Sequence, residues 1–313
     1  MNKSSPIVAV YFTNPNPLGP PLDDEEYHTA YHQFGERITK KGGRFVLVRS
    51  LKNHVAANRF LRGQVYQNGT FVEWNEPLTV DVLFNKGEDF PVTEHGPWLV
   101  NDPALYELCT SKNNTYARFA QFAPKSVFVT TMDEYVRAIN DMPTHTVVCK
   151  PVDGACGRGI KIATKKELLA DTLELPTIIQ EFVDTSGGID GIVEGTHDLR
   201  IVIIGGELAY AEFRTPAPGT LLCNVSLGGS FAFIPLSSIP EEAMQVVRAI
   251  DADLAEFPER VYSIDLGRAK SGEWKLIELN APSGLLAKRG DDPSMERYHE
   301  LLAELLLRVA RNA

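Results

Sequence analysis

Lys150-Pro151-Val152-Asp153-Gly154-Ala155-Cys156-Gly157-Arg158-Gly159 is the stretch on which the reading of this chain turns. It follows an apolar run, Thr146 to Cys149, and leads into a second short one, Ile160 to Ala163. Gly154, Gly157 and Gly159 between two strand-like segments describe a hairpin loop whose backbone can lie against a flat or charged ligand. Glycine suits this because no Cβ holds the peptide N–H groups away. Lys150 adds a point charge that phosphate oxygens favour. The expectation is a lid over nucleotide phosphates; the plainer alternative is an ordinary tight connection. The pattern is not G-x-x-x-x-G-K-[ST], and no helix follows directly, as a dinucleotide fingerprint would require. The choice therefore rests on what lies downstream.

Toward the C-terminus the chain reads Val261-Tyr262-Ser263-Ile264-Asp265-Leu266 and, past Lys270-Ser271-Gly272-Glu273, Trp274-Lys275-Leu276-Ile277-Glu278-Leu279-Asn280. Two apolar strands about a Ser-Gly turn signal a hairpin. Strand alternation points Glu278 and Asn280 the same way and lets Asp265 face them from the neighbouring strand. Two carboxylates and an amide oxygen suit Mg²⁺ that retains some water and takes its other ligands from phosphates. A solvated hairpin face is the competing reading. Against it, Glu278 and Asn280 interrupt an apolar strand that runs into Ala281-Pro282-Ser283-Gly284. Between lid and carboxylates, His197-Asp198-Leu199-Arg200 precedes Ile201 to Ile204, and Gly205-Gly206 turns that strand into Leu208 to Phe213, ending at Arg214. Hairpin arginines are common. Beside a glycine lid and a metal set, Arg200 and Arg214 read as stabilisers of phosphoryl and oxyanion charge.

Taken in order, Lys112, Lys150 with its glycine loop, Gln180-Glu181-Phe182-Val183, Asp198-Leu199-Arg200, Arg214, Asn224 with Gly228-Gly229, Asp265 and Glu278-Leu279-Asn280 resemble the ATP-grasp superfamily. The branch is that of the bacterial glutathione synthetases and the ribosomal-protein glutamate ligases, and the resemblance runs from residue 100 to residue 290. It implies an α/β (α+β) fold in which two lobes clamp ATP between antiparallel sheets. The lobes would be a Rossmann-like N-terminal one over 1–102, a small ATP-clamping one with the lid over 103–183, and a catalytic one with the metal site over 184–313. It further implies that Lys112 and Lys150 contact ATP phosphates under the lid glycines Gly154, Gly157 and Gly159. Gln180, Glu181, Phe182 and Val183 would be the hinge at the adenine, and Asp198 would reach the ribose. Arg200 and Arg214 would face the transferred phosphoryl group, with Asn224 shaping the acyl end. Asp265, Glu278 and Asn280 would hold two Mg²⁺ ions, for which Mn²⁺ can substitute. Two departures leave the acceptor open. Ala281-Pro282-Ser283-Gly284 stands where the family often has Pro-Gly, and Val225-Ser226-Leu227 where the ribosomal-protein ligases tend to have a basic residue.

At 313 residues the chain is long enough for two or three lobes. Thirty-one basic against forty-one acidic residues leave a net charge of −10, which argues against nucleic acid or an anionic membrane as partner. No leader-like apolar core follows Met1 to Pro6, and no apolar run is long enough to span a bilayer. Cys109, Cys149, Cys156 and Cys223 lack metal spacing and read as reduced thiols of a cytoplasmic protein. A homo-oligomer stays open.

Strands are expected at Ile7 to Phe12, Phe45 to Val48, Val80 to Phe84 and Ser126 to Val129, and a hairpin over Val65 to Trp74. Helices are expected over Tyr27 to Ile38, 103–122 (carrying Lys112), Asp133 to Asn140 and Met295 to Val309. The loop Asn14 to Pro21 and the strand end Asn85 to Asp89 are weak candidates for substrate contact.

The resulting expectation is an ATP-dependent ligase joining a small carboxylate to an amine, such as an amino acid or short peptide, through an acylphosphate. No Ser/His or Cys/His constellation is present in sequence, and this chemistry needs none. A small-molecule kinase on the same fold is the alternative. It would want a dense basic wall, for which Lys288-Arg289 and scattered bases are all the chain offers. A nucleotide-binding module without catalysis would not need the metal ligands or both arginines.

Overall fold

A computed structural model describes residues 5–20, 22–91, 93–152, 157–171, 174–281 and 292–313. Gly154 and Cys156 of the lid, the stop at Pro282 to Gly284 and the Lys288-Arg289 pair lie outside the described residues.

The N-terminal part builds a six-stranded sheet. Strand β1 (Ile7–Phe12) leads to helix α1 (Glu25–Lys40), then β2 (Arg44–Arg49), the short β3 (His54–Ala56) and β4 (Arg59–Phe60), the hairpin β5 (Gly63–Gln67) and β6 (Thr70–Trp74), then β7 (Leu78–Thr79), β8 (Val82–Asn85) and β9 (Leu99–Val100). The order is β6-β5-β2-β1-β8-β9, with β2, β1, β8 and β9 parallel and the hairpin antiparallel; β3, β4 and β7 form a small separate sheet. β1 and residues 45–48 of β2 are unbroken apolar runs because helices or loops cover both faces of a parallel sheet. Asp24 caps α1 by accepting from the backbone N–H of Glu26 and Tyr27. Asn68 and Gly69, at φ 51° and 82°, make the primed turn of the expected hairpin.

The expected helix over 103–122 is instead two, α2 (Pro103–Thr110) and α3 (Lys112–Arg118). Ser111 breaks it. Its backbone is extended, at φ −86° and ψ 102°, and its Oγ accepts from the Asn114 N–H, so it caps a new helix. Lys112 thereby becomes the first residue of α3.

A four-stranded antiparallel sheet follows: β10 (Ser126–Val129), β11 (Thr146–Pro151), β12 (Lys161–Thr164) and β13 (Thr177–Glu181), in the order β10-β13-β11-β12. Helices α4 (Met132–Asp141) and α5 (Lys165–Leu169), each with a capping box, cover one face. Val147, Cys149 and Ile179 point into that core, which leaves Val148, Lys150 and Gln180 facing the opposite way.

The last sheet is five-stranded and antiparallel: β14 (Asp198–Ile204), β15 (Glu207–Thr215), β16 (Ser230–Ile234), β17 (Val261–Arg268) and β18 (Trp274–Asn280), in the order β16-β15-β14-β17-β18. Leu199, Ile201, Ile264 and Leu266 pack one face against α2 and α6 (Glu241–Asp253). On the other face Val202, Ile204, Tyr210 and Val261 meet α7 (Pro293–Asn312), whose Leu302, Leu305 and Leu306 are buried in the same cluster as Phe34 and Ile38 of α1. Helix α7 is thus a keel shared by the first and last sheets. Arg37 and Lys41 add ion pairs to Glu296, Glu300 and Glu304.

Candidate active site

Register does the positioning. Across the five-stranded sheet Arg214 lies opposite Asp198, Arg200 opposite Asp265, and Asp265 opposite Glu278. Alternation turns all of these toward one face, while Leu199, Ile201 and Ile264 turn into the core behind. A bulge between Asp265 and Leu266 keeps Glu278 level with Asp265.

These side chains form one charge network. Arg200 donates from Nε and Nη2 to the two Asp265 oxygens at 2.8 and 2.7 Å. Arg214 donates to both Asp198 oxygens at 2.6 Å each, and from Nη2 to Asp265 Oδ2 at 2.8 Å. Asn280 Nδ2 lies 3.3 Å from Asp265 Oδ2 and 3.4 Å from Glu278 Oε2. Asp265 is 1 % exposed and Arg214 4 %, so the pairs are largely shielded from solvent screening.

The two aspartates titrate in opposite directions. Burial raises Asp198 to about 6, against the pull of Arg214 and the weaker pull of Arg200, with the Asp265 charge pushing it further up. Burial acts on Asp265 as well, but Arg200 and Arg214 together outweigh it and hold that carboxyl down at about 2. One hydrogen-bonded arginine on Asp198 against two on Asp265 accounts for the split. Burial likewise pushes the Cys223 thiol up to about 12, so it is no nucleophile near neutral pH.

Both lysines approach this network from elsewhere. Lys112 Nζ lies 3.4 Å from Glu278 Oε1. Lys150 Nζ donates to the Tyr116 hydroxyl at 2.8 Å, which donates in turn to the Ile277 carbonyl at 2.7 Å. Lys112 and Lys150 are each 6 % exposed. Tyr116 therefore couples the lid strand to the carboxylate strand.

Around them lies one cleft. Val148, Lys150, Ile162 and Gln180 to Val183 line it from the four-stranded sheet; Asp198, Arg214, Asp265 and Glu278 line it from the five-stranded sheet. Lys112 and the segment Leu221 to Asn224 complete the walls. Gly157, at φ 73°, faces Asn224 so closely that a Cβ there would stand 2.8 Å from Asn224 Oδ1. Gly159, at φ 74°, packs on Pro151 and does not line the cleft. Arg200 and Asn280 reach the cleft through Asp265. Asp198 lines it, but both its oxygens already accept from Arg214, so ribose contact would have to share them.

Sequence reasoning missed Tyr116, His197, Thr185 and the apolar segment Leu221 to Cys223. For Tyr116 a signal existed: it follows Lys112 by one helical turn and shares its face. For the loop residues there was none.

Among the described residues, no three His, Cys, Asp or Glu side chains gather into a metal-binding group. Asp265, Glu278 and Asn280 are a different set, two carboxylates and an amide. Their hard-oxygen chemistry suits a magnesium ion that completes its shell with water and phosphate oxygens. The Asn280 amide offers oxygen or nitrogen by a half-turn.

A family model described as the RimK-like ATP-grasp domain matches residues 116–292. Beta-citrylglutamate synthase B of Danio rerio is 28 % identical over 214 residues, covering 64 % of this chain and 49 % of that protein. A probable alpha-L-glutamate ligase of Parasynechococcus marenigrum (strain WH8102) is 30 % identical over 148 residues, covering 44 % of this chain and 28 % of that one. The chain thus spans about half the length, or less, of the curated relatives it matches. Among solved structures, D-alanyl-alanine synthetase A from Vibrio cholerae O1 biovar eltor str. N16961 superposes with a TM-score of 0.66 at 12 % identity, over 99 % of this chain and 98 % of that one. At that identity the likeness is one of fold.

Proposed function

Because this chain belongs to the RimK-like ATP-grasp family, we propose that it is an ATP-dependent ligase joining a small carboxylate to an amine through an acylphosphate, with release of ADP and phosphate. The observation that carries the reading is convergence. Two buried lysines from separate elements meet a carboxylate–arginine network in one cleft between two antiparallel sheets. A binding-only site has no use for so many desolvated charges.

Lys112 and Lys150 would hold the phosphates, with Gly157 bringing the lid backbone close. Val148, Ile162 and Phe182 offer apolar walls for the adenine, with Gln180, Glu181 and Val183 as the hinge. Asp265, Glu278 and Asn280 would hold two Mg²⁺ ions (or Mn²⁺), which when bound neutralise triphosphate charge. Arg214 would meet the oxyanion that develops when the amine attacks, with Arg200 holding Asp265 in place and Asn224 bounding the acyl end. Asp198 would serve the ribose and, through its two bonds, keep the Arg214 guanidinium oriented. Exclusion of water protects the acylphosphate from hydrolysis, which is the use of a lid. We take 1–102, 103–183 and 184–313 as the working lobes. The reactants would be small acids and amines, such as amino acids or short peptides. No helix among the described residues is long and apolar enough to cross a membrane. Cys109, Cys149 and Cys223 are free thiols, which agrees with our placing the protein in the cytoplasm.

A kinase reading is not favoured, since the relatives above are named as a synthase and a ligase. The test is nucleotide release with pools of amino acids, followed by mass spectrometry. ADP and phosphate with a coupled product are expected. AMP and pyrophosphate, or a stable phosphorylated product, overturn the proposal.

A further inference from the structure

A second cavity, sharing no lining residue with the cleft, opens in the N-terminal sheet. Its volume is about 330 Å³, and Phe12, Thr13, Asn14, Tyr27, Tyr31, Lys86 and Glu88 line it along with Pro20. Its position has a topological reason. β1 has β2 as parallel neighbour on one side and β8 on the other. The chain leaves β1 through α1 toward β2, then returns to the far side for β8, so strand order reverses at β1. In open parallel sheets the crevice beyond the carboxyl ends of strands at such a reversal is where ligands bind. Thr13 and Asn14 follow β1, and Lys86 and Glu88 follow β8, at that place.

The mouth is built. Thr13 Oγ1 accepts from the Glu88 N–H at 3.0 Å and donates to Asp89 Oδ1 at 2.6 Å; the Tyr11 hydroxyl donates to the same oxygen at 2.9 Å. Gly87 N–H bonds to Asn85 Oδ1 at 2.9 Å, and a Cβ on Gly87 would stand 2.4 Å from the Tyr11 ring. The wall is aromatic. Phe12 and Tyr31 meet edge to face at 5.4 Å. A guanidinium stands behind that wall. Arg49 is 5 % exposed and stacks 4.9 Å from the Phe12 centroid. Its three hydrogen bonds go to the main-chain carbonyls of Asn14, Gly19 and Pro20, and its Nε has no partner. The apolar cluster of Phe12 and Tyr31 continues through Tyr298 on α7 to Tyr210 on β15, four residues before Arg214.

Resting on the ligase reading, we infer that this crevice binds one of the two reactants, and that this reactant is an amino acid with an aromatic or bulky apolar side chain. Its carboxylate meets Lys86, its ammonium meets Glu88 at the rim, and its side chain lies against Phe12, Tyr27 and Tyr31. A cavity of this size holds a molecule of amino-acid rather than protein scale, and among the described residues Lys86 is the one cationic side chain in its lining, so none is left over there to receive an acidic side chain.

Calorimetric titration of the nucleotide-free protein with L-phenylalanine, L-glutamate and 3-phenylpropionate tests this. L-phenylalanine should bind at least tenfold more tightly than L-glutamate, and more tightly than 3-phenylpropionate, which lacks the ammonium. Lys86→Gln should weaken L-phenylalanine at least tenfold and the exposed Glu88→Gln several-fold, with melting temperatures checked for both. Glutamate binding as well as phenylalanine does, or unchanged affinity in both variants, overturns the inference. The two readings fail separately. Lys150→Met should abolish ATP binding and leave the phenylalanine titration intact. Absence of phenylalanine binding alongside ATP-dependent ligation of other acids would remove the crevice assignment only. Phenylalanine binding without ADP release from any amine–acid pool would remove the ligase only.

Discussion

At the scale of single residues, the site is decided by which charges share a partner. Glu278 is the carboxylate that Lys112 and Asn280 both approach, whereas Asp265 is already enclosed by two arginines. Glu278→Gln keeps the shape and removes the charge. Turnover should fall at least 100-fold, about 3 kcal/mol of transition-state stabilisation, with an unchanged circular dichroism spectrum; retained turnover would remove Glu278 from the proposed metal set. Tyr116→Phe deletes the hydroxyl that joins Lys150 to the Ile277 carbonyl. A bond to a charged group contributes roughly 1.5–3 kcal/mol, so the Kd for ATP should rise about tenfold or more in equilibrium binding. Glu278, Asp265 and Asn280 were legible as a group because strand alternation follows from the chain alone. Tyr116 was not, because its partners come from β11 and β18, remote in sequence.

At the scale of elements, apolar period and turn chemistry located the longer strands to within a few residues but not β13 or β16, nor the short β3, β4, β7 and β9. β14 and β15 meet at Gly205-Gly206 and β17 and β18 at Ser271-Gly272, whereas β1, β2 and β10 fall where runs of β-branched and aromatic residues stand alone. The error came at Ser111, where helical periodicity carries across a residue whose side chain prefers to cap. Under the proposed function that cap matters, since it sets the start of α3, on which Lys112 is the first residue. Ser111→Ala should lower unfolding stability by about 1 kcal/mol, read as a shift in the urea midpoint, and should also weaken ATP binding by a few-fold. A stability loss with unaltered nucleotide affinity would show that the cap does not steer Lys112.

At the scale of the whole molecule, α7 packs against both the first and the last sheet, and it carries a buried histidine. His299 is 5 % exposed, its ring sits against Phe34 and Tyr298, and its Nε2 has no partner. Burial, aided by the Arg37 charge, lowers its pKa to about 4 against a weaker upward pull from Glu296. The unfolded chain takes up a proton near pH 6.5 and the folded one near 4. Stability is therefore fully present above pH 6.5 and falls as pH drops toward 4, by about 3 kcal/mol in all at roughly 1.4 kcal/mol per unit. His299→Phe should flatten that part of the pH–stability profile measured by denaturant unfolding; an unchanged slope would place the effect elsewhere. Residue types and periodicity alone determined the mixed α/β character, the hairpins, the glycine-rich connection and which acids and arginines share a strand face, because these depend on chain geometry over a few residues. Only the tertiary structure decided that Lys112 and Lys150 reach the same carboxylate strand, that Asp198 and Asp265 titrate in opposite directions, and that the ends of β1 and β8 open onto a walled crevice. Each of those depends on distances between segments far apart in the chain and on how little water remains between them.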